Sequence, residues 1–290
     1  MTLKTHSGYD LLNYLDAGNL LVNVGVFNAL SAMTAAQFPQ TKGLFISGLG
    51  FTYSHLGWPD VGLIDSIDVR QVAQIIRGNH PDLFVICDID SGLGGLEQLR
   101  RTCVELKNLG VAAVQLEDQT QDDKRCGHMA GKVVRPREEA IERLRTALSA
   151  AHPMQVIART DASMENGEAL QRVEAFIQAG AKIVLVDGIK EKDIAAIRAT
   201  VNGRAHIMVN IVGGGKLAQR PASEFHKLGI SIVNLSTPLL FPAMKAMQET
   251  MESMVQGGWF MPETKNDMTL AMANEMVTSN FNRFVMNNSA

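Results

Sequence analysis

The sequence predicts a (β/α)8 barrel, and two observations lead to this prediction. Eight short apolar segments recur along the chain, each leading into polar or glycine-rich sequence. Segments with helical periodicity separate most of them, and several of these end at a glycine just before the next apolar segment. Eight alternations of strand and helix are typical of parallel strands that close into a barrel, whereas the alternative, a doubly wound open sheet, usually has fewer strands.

The predicted strands are short and rich in apolar, often β-branched residues, as strands buried on both faces are. In chain order they cover 21–24, 43–46, 83–87, 111–116, 155–158, 182–186, 206–209 and 230–235. The predicted barrel helices cover 67–76, 96–109, 138–151, 167–179, 192–200 and 221–228. No change of composition marks a linker, so we expect one domain, with the barrel in residues 1–240 and a helical extension in residues 241–290.

The extension is rich in methionine, and its periodicity predicts helices over 244–255 and 268–286. Met244, Met247, Met251 and Met254 fall on one helical stripe. A thioether stripe of this kind packs well against apolar surfaces. It therefore indicates packing in a core or between subunits and not metal binding.

Composition limits the classes of function. The 290 residues are 46% hydrophobic and 20% charged, which is typical of a globular protein with a large core. The formal net charge of −3 gives no electrostatic reason to bind nucleic acid or an anionic membrane. No apolar run is long enough to cross a bilayer, and the N-terminus has no signal region. Three unpatterned cysteines argue against a disulfide framework, so we expect a cytoplasmic location.

Carboxylates end two neighbouring predicted strands. Asp88 and Asp90 end the third strand, and because residues i and i+2 of a strand face the same side, both should face one centre. Glu117 and Asp118 end the fourth strand. Carboxylates this close repel one another unless a cation lies near them, and clustered oxygen donors suit Mg²⁺ or Mn²⁺. The sequence therefore predicts a divalent metal site; a helix N-cap accounts for one of these acids but not for the set.

The loop after the fourth strand places Lys124, Arg125, Cys126 and His128 together. A thiol flanked by potential cations has a lowered pKa and becomes usable as a proton donor or nucleophile. A surface loop with a charge cluster and an incidental cysteine accounts for the same residues. The residues alone do not separate these two interpretations.

Polar groups also end most of the other predicted strands. The second strand ends at 47–49, where a hydroxyl and bare backbone N–H groups can bind an anion, although a tight turn uses the same residues. The fifth ends at Arg159, whose guanidinium can bind a substrate carboxylate or pair with Asp161 or Asp187. The sixth, seventh and eighth strands end near Asp187, Asn210 and Thr237.

Two motifs resemble a known family. Leu-Glu-Asp-Gln at 116–119, followed by Asp-Asp-Lys-Arg-Cys-Gly-His at 122–128, is similar to the isocitrate lyase/phosphoenolpyruvate mutase superfamily, and in particular to its methylisocitrate lyase-like carbon–carbon lyases. Trp-Pro-Asp-Val-Gly at 58–62 resembles a further element of the family, and the likeness extends over most of the chain. It implies a barrel fold, a Mg²⁺ cofactor (Mn²⁺ being an alternative) and subunits that exchange their last helices in a tetrameric dimer of dimers.

The resemblance also implies a role for individual residues. Asp88 corresponds to a direct metal ligand, Asp90 and Glu117 to acids that reach the metal through water, and Asp60 to a residue that supports the metal region. The catalytic residues that it implies are Cys126, His128, Arg159 and Glu117. The substrate-binding residues that it implies are Ser47, Gly48, Leu49, Arg159, Asp187, Asn210 and Thr237.

The implied reaction is Mg²⁺-dependent cleavage of a 2-hydroxy di- or tricarboxylate, of the 2-methylisocitrate or 2-alkylmalate type, into an α-keto acid and a smaller carboxylate. Cys126 would be the general acid. Oxaloacetate hydrolysis or decarboxylation and (carboxy)phosphonoenolpyruvate mutation in the same pocket are alternatives, and a barrel that has lost activity and serves as a scaffold is another. Asp187 and Gly213 stand where the lyases commonly have glutamate, which shortens or removes a polar arm near the distal part of the substrate.

Overall fold

The computed structural model describes residues 8–126, 129, 131–217, 220–260 and 268–288. Eight parallel strands close into a barrel in chain order, each paired with the next and the last with the first, so the predicted fold class is confirmed. The strands are β1 (Leu21–Val26), β2 (Gly43–Ile46), β3 (Phe84–Asp88), β4 (Ala113–Glu117), β5 (Gln155–Thr160), β6 (Ile183–Val186), β7 (His206–Ile211) and β8 (Ile232–Leu235).

Helices surround this barrel, cover its N-terminal end and extend beyond it. They are α1 (Gly8–Asp16), α2 (Ala29–Ala36), α3 (Gly48–Phe51), α4 (Ser66–Asn79), α5 (Leu96–Asn108), α6 (Arg137–Ala151), α7 (Glu168–Gln178), α8 (Ile194–Val201), α9 (Ala222–Lys227), α10 (Leu240–Gln256) and α11 (Leu270–Asn288). The sequence did not predict α1, α2 or the short α3. None of the helices in the described ranges combines the length and apolar composition needed to cross a bilayer.

Alternate residues of each strand face the barrel interior, and the rest face the helices. Phe84 and Ile86 of β3 pack in the interior cluster with Ala113 of β4 and Ile157 of β5. The intervening residues of these strands pack in the larger cluster that includes the helices, as Val85, Val114, Val156 and Ala158 do. Because side chains of a strand alternate with a period of two, the interior set continues two residues at a time toward the C-terminal end of each strand.

Helix α1 closes the N-terminal end of the barrel. Leu11 and Leu15 are buried in the interior cluster with the first residues of several strands. The ring of Tyr14 lies 5.4 Å from that of Phe84, and its hydroxyl donates a hydrogen bond to the carbonyl of Leu20. The apolar side chains of α1 therefore fill the end of the barrel that lies opposite the candidate site.

The seam between β1 and β8 needs a glycine. A Cβ atom on Gly25 would lie 2.1 Å from the backbone carbonyl oxygen of Ser236, closer than any real contact. A residue with a side chain would therefore push the last strand away from the first and open the barrel.

The two C-terminal helices behave differently from the barrel helices. In α10 only Leu240 is buried, and its apolar residues Phe241, Met244, Met247 and Met251 are exposed. Helix α11 packs against α4, where Phe284 lies beside Gly78. The predicted methionine stripe is therefore present, and among the described residues most of it is exposed and not buried in a core. Of the two kinds of packing that the sequence left open, packing between subunits stays a prediction.

Candidate active site

Acidic side chains meet at the C-terminal end of the barrel. Asp88 and Glu117 are the last residues of β3 and β4, and both continue the interior-facing set of their strands. A Cβ atom on Gly48 would lie 3.2 Å from Oδ2 of Asp88 and 3.4 Å from Oδ1 of Asp90. Gly48 thus leaves room in which these two carboxylates face one another at the start of α3.

Asp90 reaches this place by a route that the sequence did not predict. The strand ends at Asp88, and Asp90 lies in the following turn with a φ of 47°, in the left-handed region. Its backbone N–H donates a hydrogen bond to Oδ1 of Asp88, 3.2 Å away. The turn, and not strand alternation, therefore brings the two carboxylates together.

Lys124 lies among the same acids. Its Nζ atom is 2.5 Å from Oδ1 of Asp60 and 2.7 Å from Oδ1 of Asp90, and its side chain is only 4% exposed. The sequence had placed Lys124 beside Cys126 as a source of positive potential. In the structure the ammonium group points instead into the acidic cluster.

Arg159, on β5, joins the cluster to a second group of acids. Its guanidinium lies 3.2 Å from Oε2 of Glu117, donates two hydrogen bonds of 2.8 and 3.0 Å to Asp161, and donates a third of 3.3 Å to Asp187. The structural ion pairs with Asp161 and Asp187 that the sequence allowed are therefore present. Lys132 also pairs with Asp161, at 2.7 Å.

A polar chain continues from Asp187 around the barrel. Asn210 donates a hydrogen bond of 3.1 Å to Oδ1 of Asp187. Oδ1 of Asn210 accepts hydrogen bonds from Ser236 and from Asn234 on β8. Asp187 and Asn210, which were predicted to contact substrate, are thus held in fixed orientations.

Burial and neighbouring charge shift the proton affinities of these groups. Burial, aided by the adjacent Asp90, raises the pKa of Asp88 to about 7. Burial also raises the pKa of Asp90 and that of Glu117. Burial acts to lower the pKa of Lys124, but the surrounding carboxylates, Asp90 and Glu117 first, hold it well above its ordinary value. The lysine therefore stays protonated inside the cluster, while Asp88, Asp90 and Glu117 take up a proton more readily than exposed carboxylates do.

Asp118 is not part of this cluster, although the sequence grouped it with Glu117. It follows the last residue of β4, so its side chain belongs to the opposite set and faces the helices. Its Oδ2 pairs with Arg172 of α7 at 3.0 Å, and its Oδ1 accepts a hydrogen bond from the backbone N–H of Asp161. The grouping with the metal acids was wrong, because strand alternation separates adjacent residues.

Gln119 is a site residue that the sequence reading missed. It is fully buried, and its Nε2 donates to Oε1 of Glu117 at 3.1 Å and to the carbonyl of Arg125 at 3.0 Å. Its Oε1 accepts from the backbone N–H of Arg125. The glutamine in Leu-Glu-Asp-Gln thus ties the acidic cluster to the residue next to Cys126. Cys126 itself is half-buried, and His128 lies outside the described residues.

The other predicted substrate contacts lie at the same end of the barrel. Ser47 caps α3 by accepting a hydrogen bond from Gly50, as the tight-turn alternative predicted. Leu49 is half-buried within α3. Thr237 accepts a hydrogen bond of 3.3 Å from the backbone N–H of Gly213, and no contact joins it directly to Arg159.

The donor set has the chemistry that a divalent cation requires. In the described part of the chain, six carboxyl groups and three cations lie in linked contacts, namely Asp60, Asp88, Asp90, Glu117, Asp161 and Asp187 with Lys124, Lys132 and Arg159. Among the residues that the structure describes, Oδ2 of Asp90 is buried with neither a hydrogen bond nor an ion pair, whereas Oδ1 of Asp90 and Oε2 of Glu117 are buried and contact Lys124 and Arg159. Buried carboxylate oxygens that outnumber their cationic partners fit Mg²⁺ or Mn²⁺. No three acids, cysteines or histidines within the described ranges already enclose a metal position.

Comparison with known proteins agrees with this geometry. Residues 11–255 match the family described as phosphoenolpyruvate phosphomutase. The 2,3-dimethylmalate lyase of Eubacterium barkeri is 32% identical, over 92% of this chain and 90% of its own, and a crystal structure of a 2,3-dimethylmalate lyase superposes with a TM-score of 0.87, 31% identity and coverage of 96% and 93%. The 2-methylisocitrate lyase of Bacillus subtilis is 31% identical, covering 84% and 80%. An oxaloacetate acetylhydrolase bound to 3,3-difluorooxalacetate superposes with a TM-score of 0.86 and 31% identity, covering 98% and 95%.

The Asp118–Arg172 pair yields a prediction about stability. Both side chains are at least nine-tenths buried, so Arg172→Met leaves an unpaired carboxylate in the interior. We expect the free energy of unfolding, measured by urea denaturation, to fall by about 3–5 kcal/mol. The exposed pair of Arg101 and Glu105 is the control, because Arg101→Met should cost about 0.5 kcal/mol or less. A loss in Arg172→Met no larger than that of the control would contradict a structural role for the pair.

Proposed function

The chain belongs to the phosphoenolpyruvate mutase/isocitrate lyase superfamily, and from this we propose that it is a carbon–carbon lyase acting on a 2-hydroxy dicarboxylate or tricarboxylate of the 2-alkylmalate or 2-methylisocitrate type. The products are an α-keto acid and a smaller carboxylate. The observation that carries the proposal is the convergence of Asp88, Asp90 and Glu117 with Gly48 and Arg159 at the C-terminal end of the barrel, where enzymes of this fold bind substrate.

Mg²⁺, or Mn²⁺ in its place, is the proposed cofactor, held by Asp88, Asp90 and Glu117 with Asp60 behind them. When bound, the ion supplies Lewis acidity to the oxygens of the hydroxyl-bearing end of the substrate. The buried Oδ2 atom of Asp90, which has neither a hydrogen bond nor an ion pair in the described part of the chain, supports this assignment.

The protein's own groups would orient the substrate and stabilise the charge that develops. Backbone N–H groups in the first turn of a helix have no carbonyl partner within the helix, so 48–49 can bind one substrate carboxylate, with the Ser47 hydroxyl beside them. Arg159 is fully charged and rigidly held, and a donor preorganised in this way contributes about 3–4 kcal/mol when it faces the developing charge. Cleavage leaves the electron pair of the broken bond on the carbon next to the second carboxylate, and Cys126 would protonate that carbon.

The distal part of the pocket favours an alkyl-substituted malate. A Cβ atom on Gly213 would lie 3.5 Å from Cδ2 of Phe241 and 3.9 Å from Oγ1 of Thr237, so this position presents an apolar ring and no charged arm. The nearby Asp187 is already bound by Arg159 and Asn210. Among the described residues, a third substrate carboxylate at Gly213 would face the ring of Phe241, against which a methyl or alkyl group could pack.

Oxaloacetate hydrolysis in the same pocket is the second candidate. The oxaloacetate acetylhydrolase structure covers nearly the whole chain at 31% identity, which is as similar as the lyase structure. In this reaction water would add to the 2-oxo carbon of oxaloacetate within the same acidic cluster. Breakage of the bond between the second and third carbons of the resulting diol would then release oxalate and, after protonation of the departing carbon, acetate. In the resembled family a serine at the position of Thr237 is associated with oxaloacetate hydrolysis, and a proline or threonine with cleavage of the 2-alkylmalate type, so Thr237 itself favours the lyase.

We also propose a cytoplasmic location, because a catalytic thiol needs a reducing compartment to stay reduced. For the assembly we propose a dimer of dimers in which the C-terminal helices pack between subunits, with residues 1–240 as the barrel and 241–290 as the extension of one domain. The exposed apolar face of α10 supports this, since it leaves Met244, Met247 and Met251 without a core of their own.

The substrate assignment predicts an order of reactivity. With Mg²⁺ present, we expect 2,3-dimethylmalate to be cleaved with a kcat/KM at least about tenfold above that of 2-methylisocitrate, because an alkyl group packs better than a carboxylate against the Phe241 ring beside Gly213. Oxaloacetate and phosphonopyruvate complete the panel, and chelation by EDTA should abolish turnover of every substrate. Turnover of oxaloacetate alone would show that the protein is a hydrolase and not a lyase. Turnover of none of the substrates would favour a barrel that has lost activity and serves as a scaffold.

The role of Cys126 predicts a separation of chemistry from metal binding. Cys126→Ser should lower kcat by about 10²–10⁴-fold, the usual contribution of a general acid, while the Kd for Mn²⁺ changes less than about twofold. Cys103→Ala, in the buried face of α5, is the matched control and should leave both quantities near their wild-type values. Equal losses of turnover and metal affinity in Cys126→Ser would count against a proton-donating thiol.

The exposed face of α10 predicts the mass in solution. Light scattering coupled to gel filtration should give about four times the 31.6 kDa chain mass. Met247→Glu, which places a charge on the exposed stripe, should shift the mass toward that of smaller species without changing the far-UV circular dichroism. A monomeric wild-type protein would disprove the proposed assembly.

A further inference from the structure

Lys124 occupies the space between acids that are proposed to hold the divalent cation. Its ammonium group contacts one oxygen of Asp60 and one of Asp90, at 2.5 and 2.7 Å, and all three side chains are at least nine-tenths buried. Oδ1 of Asp90, the atom that faces Lys124, also faces the open space above Gly48 beside Asp88. The ammonium group thus sits on the carboxylate that lies in the centre of the cluster.

Charge balance explains why a lysine is found there. Asp60, Asp88, Asp90 and Glu117 all interact electrostatically with Lys124. Arg159 divides its charge among Glu117, Asp161 and Asp187. Carboxylates taken out of water and left without a counterion are strongly destabilising. Without Lys124, Asp90 in particular would retain no cation in contact with it among the described residues.

We propose that Lys124 is an internal counterion that competes with the divalent cation, so that binding of the cation displaces its ammonium group from Asp90. The inference rests on the proposed function only in taking that cluster as the cation's site. Two positive groups cannot share one buried carboxylate oxygen at hydrogen-bonding distance without strong mutual repulsion.

Displacement of Lys124 has a consequence for the thiol. Lys124 and Cys126 are two residues apart, so the chain between them spans at most about 7 Å and the two cannot move independently over larger distances. The segment is otherwise attached to the site by the hydrogen bonds between Gln119 and the backbone of Arg125. Arrival of the cation therefore alters the position of Cys126, while Gln119 keeps the adjacent Arg125 joined to Glu117. The cation binds first, and the thiol moves second.

The test is metal affinity, which does not depend on turnover. Lys124→Met keeps the length of the side chain and removes its charge. In metal-free full-length protein, titration with Mn²⁺ followed by electron paramagnetic resonance should give a Kd at least about tenfold lower for Lys124→Met than for wild type. Without metal, the variant should also have a lower Tm than wild type. Its Tm should rise more than that of wild type when Mn²⁺ is added, because the ion then neutralises the carboxylates that Lys124 neutralises in wild type.

Lys132→Met is the matched control, since Lys132 is a half-buried lysine of the same loop whose ion pair is with Asp161. Its Kd for Mn²⁺ should stay within about twofold of wild type. An unchanged or raised Kd in Lys124→Met, in protein whose wild type binds Mn²⁺, would overturn the inference and leave the proposed function standing. Failure of the wild type to bind Mn²⁺ would remove both.

A second measurement needs no variant. Cys87 and Cys103 are fully buried, so alkylation of the native protein by iodoacetamide reports on Cys126. If the cation displaces Lys124, saturating Mg²⁺ should change the alkylation rate of Cys126 by about threefold or more, with the site of modification checked by mass spectrometry. A rate that Mg²⁺ does not alter would overturn the link between the lysine and the thiol.

Discussion

An excess of buried carboxylates at one end of the barrel is the constraint on which the rest of the site depends. Charges removed from water must be matched, and two stretches of chain supply the matching cations: β5 provides Arg159, and the loop after β4 provides Lys124 and Lys132. The positions of these chain segments are therefore fixed by electrostatics as much as by packing. Gln119 completes the arrangement, since its amide joins an acid of the cluster to the backbone beside the thiol.

The alternation of side chains along each strand separates stability from chemistry. Outward residues such as Val114 and Ala158 pack against helices, whereas the charged residues Asp88, Glu117 and Arg159 each occupy the last inward position of their strand. Asp118 follows the same alternation: it lies one position after the inward-facing Glu117, so its carboxylate points away from the site and toward Arg172. The barrel can thus accept acids at its mouth while its walls remain apolar.

All eight strands and most barrel helices could be predicted from the sequence, because apolar runs and helical periodicity are local signals. The convergence of Asp88 and Glu117 also followed from their places at strand ends. What failed needed non-local information: α1 is a helix because the open end of a barrel must be filled, and Asp90 is aligned by a left-handed turn. The direction of Lys124 depends on acids up to 64 positions away, and the part played by Gln119 depends on a loop that folds back on it. No local pattern encodes either.

Helix α1 has a consequence for substrate entry and product release. Leu11 and Leu15 seal the floor of the barrel, and large side chains such as Phe45 and Met208 fill the space above them. Among the described residues, a ligand at the acidic end can therefore enter and leave only through the C-terminal end of the barrel. The two fragments formed from one molecule must leave by this route one after the other. The fragment nearer the C-terminal opening leaves first, so the deeper fragment should be the product that inhibits the enzyme as it accumulates.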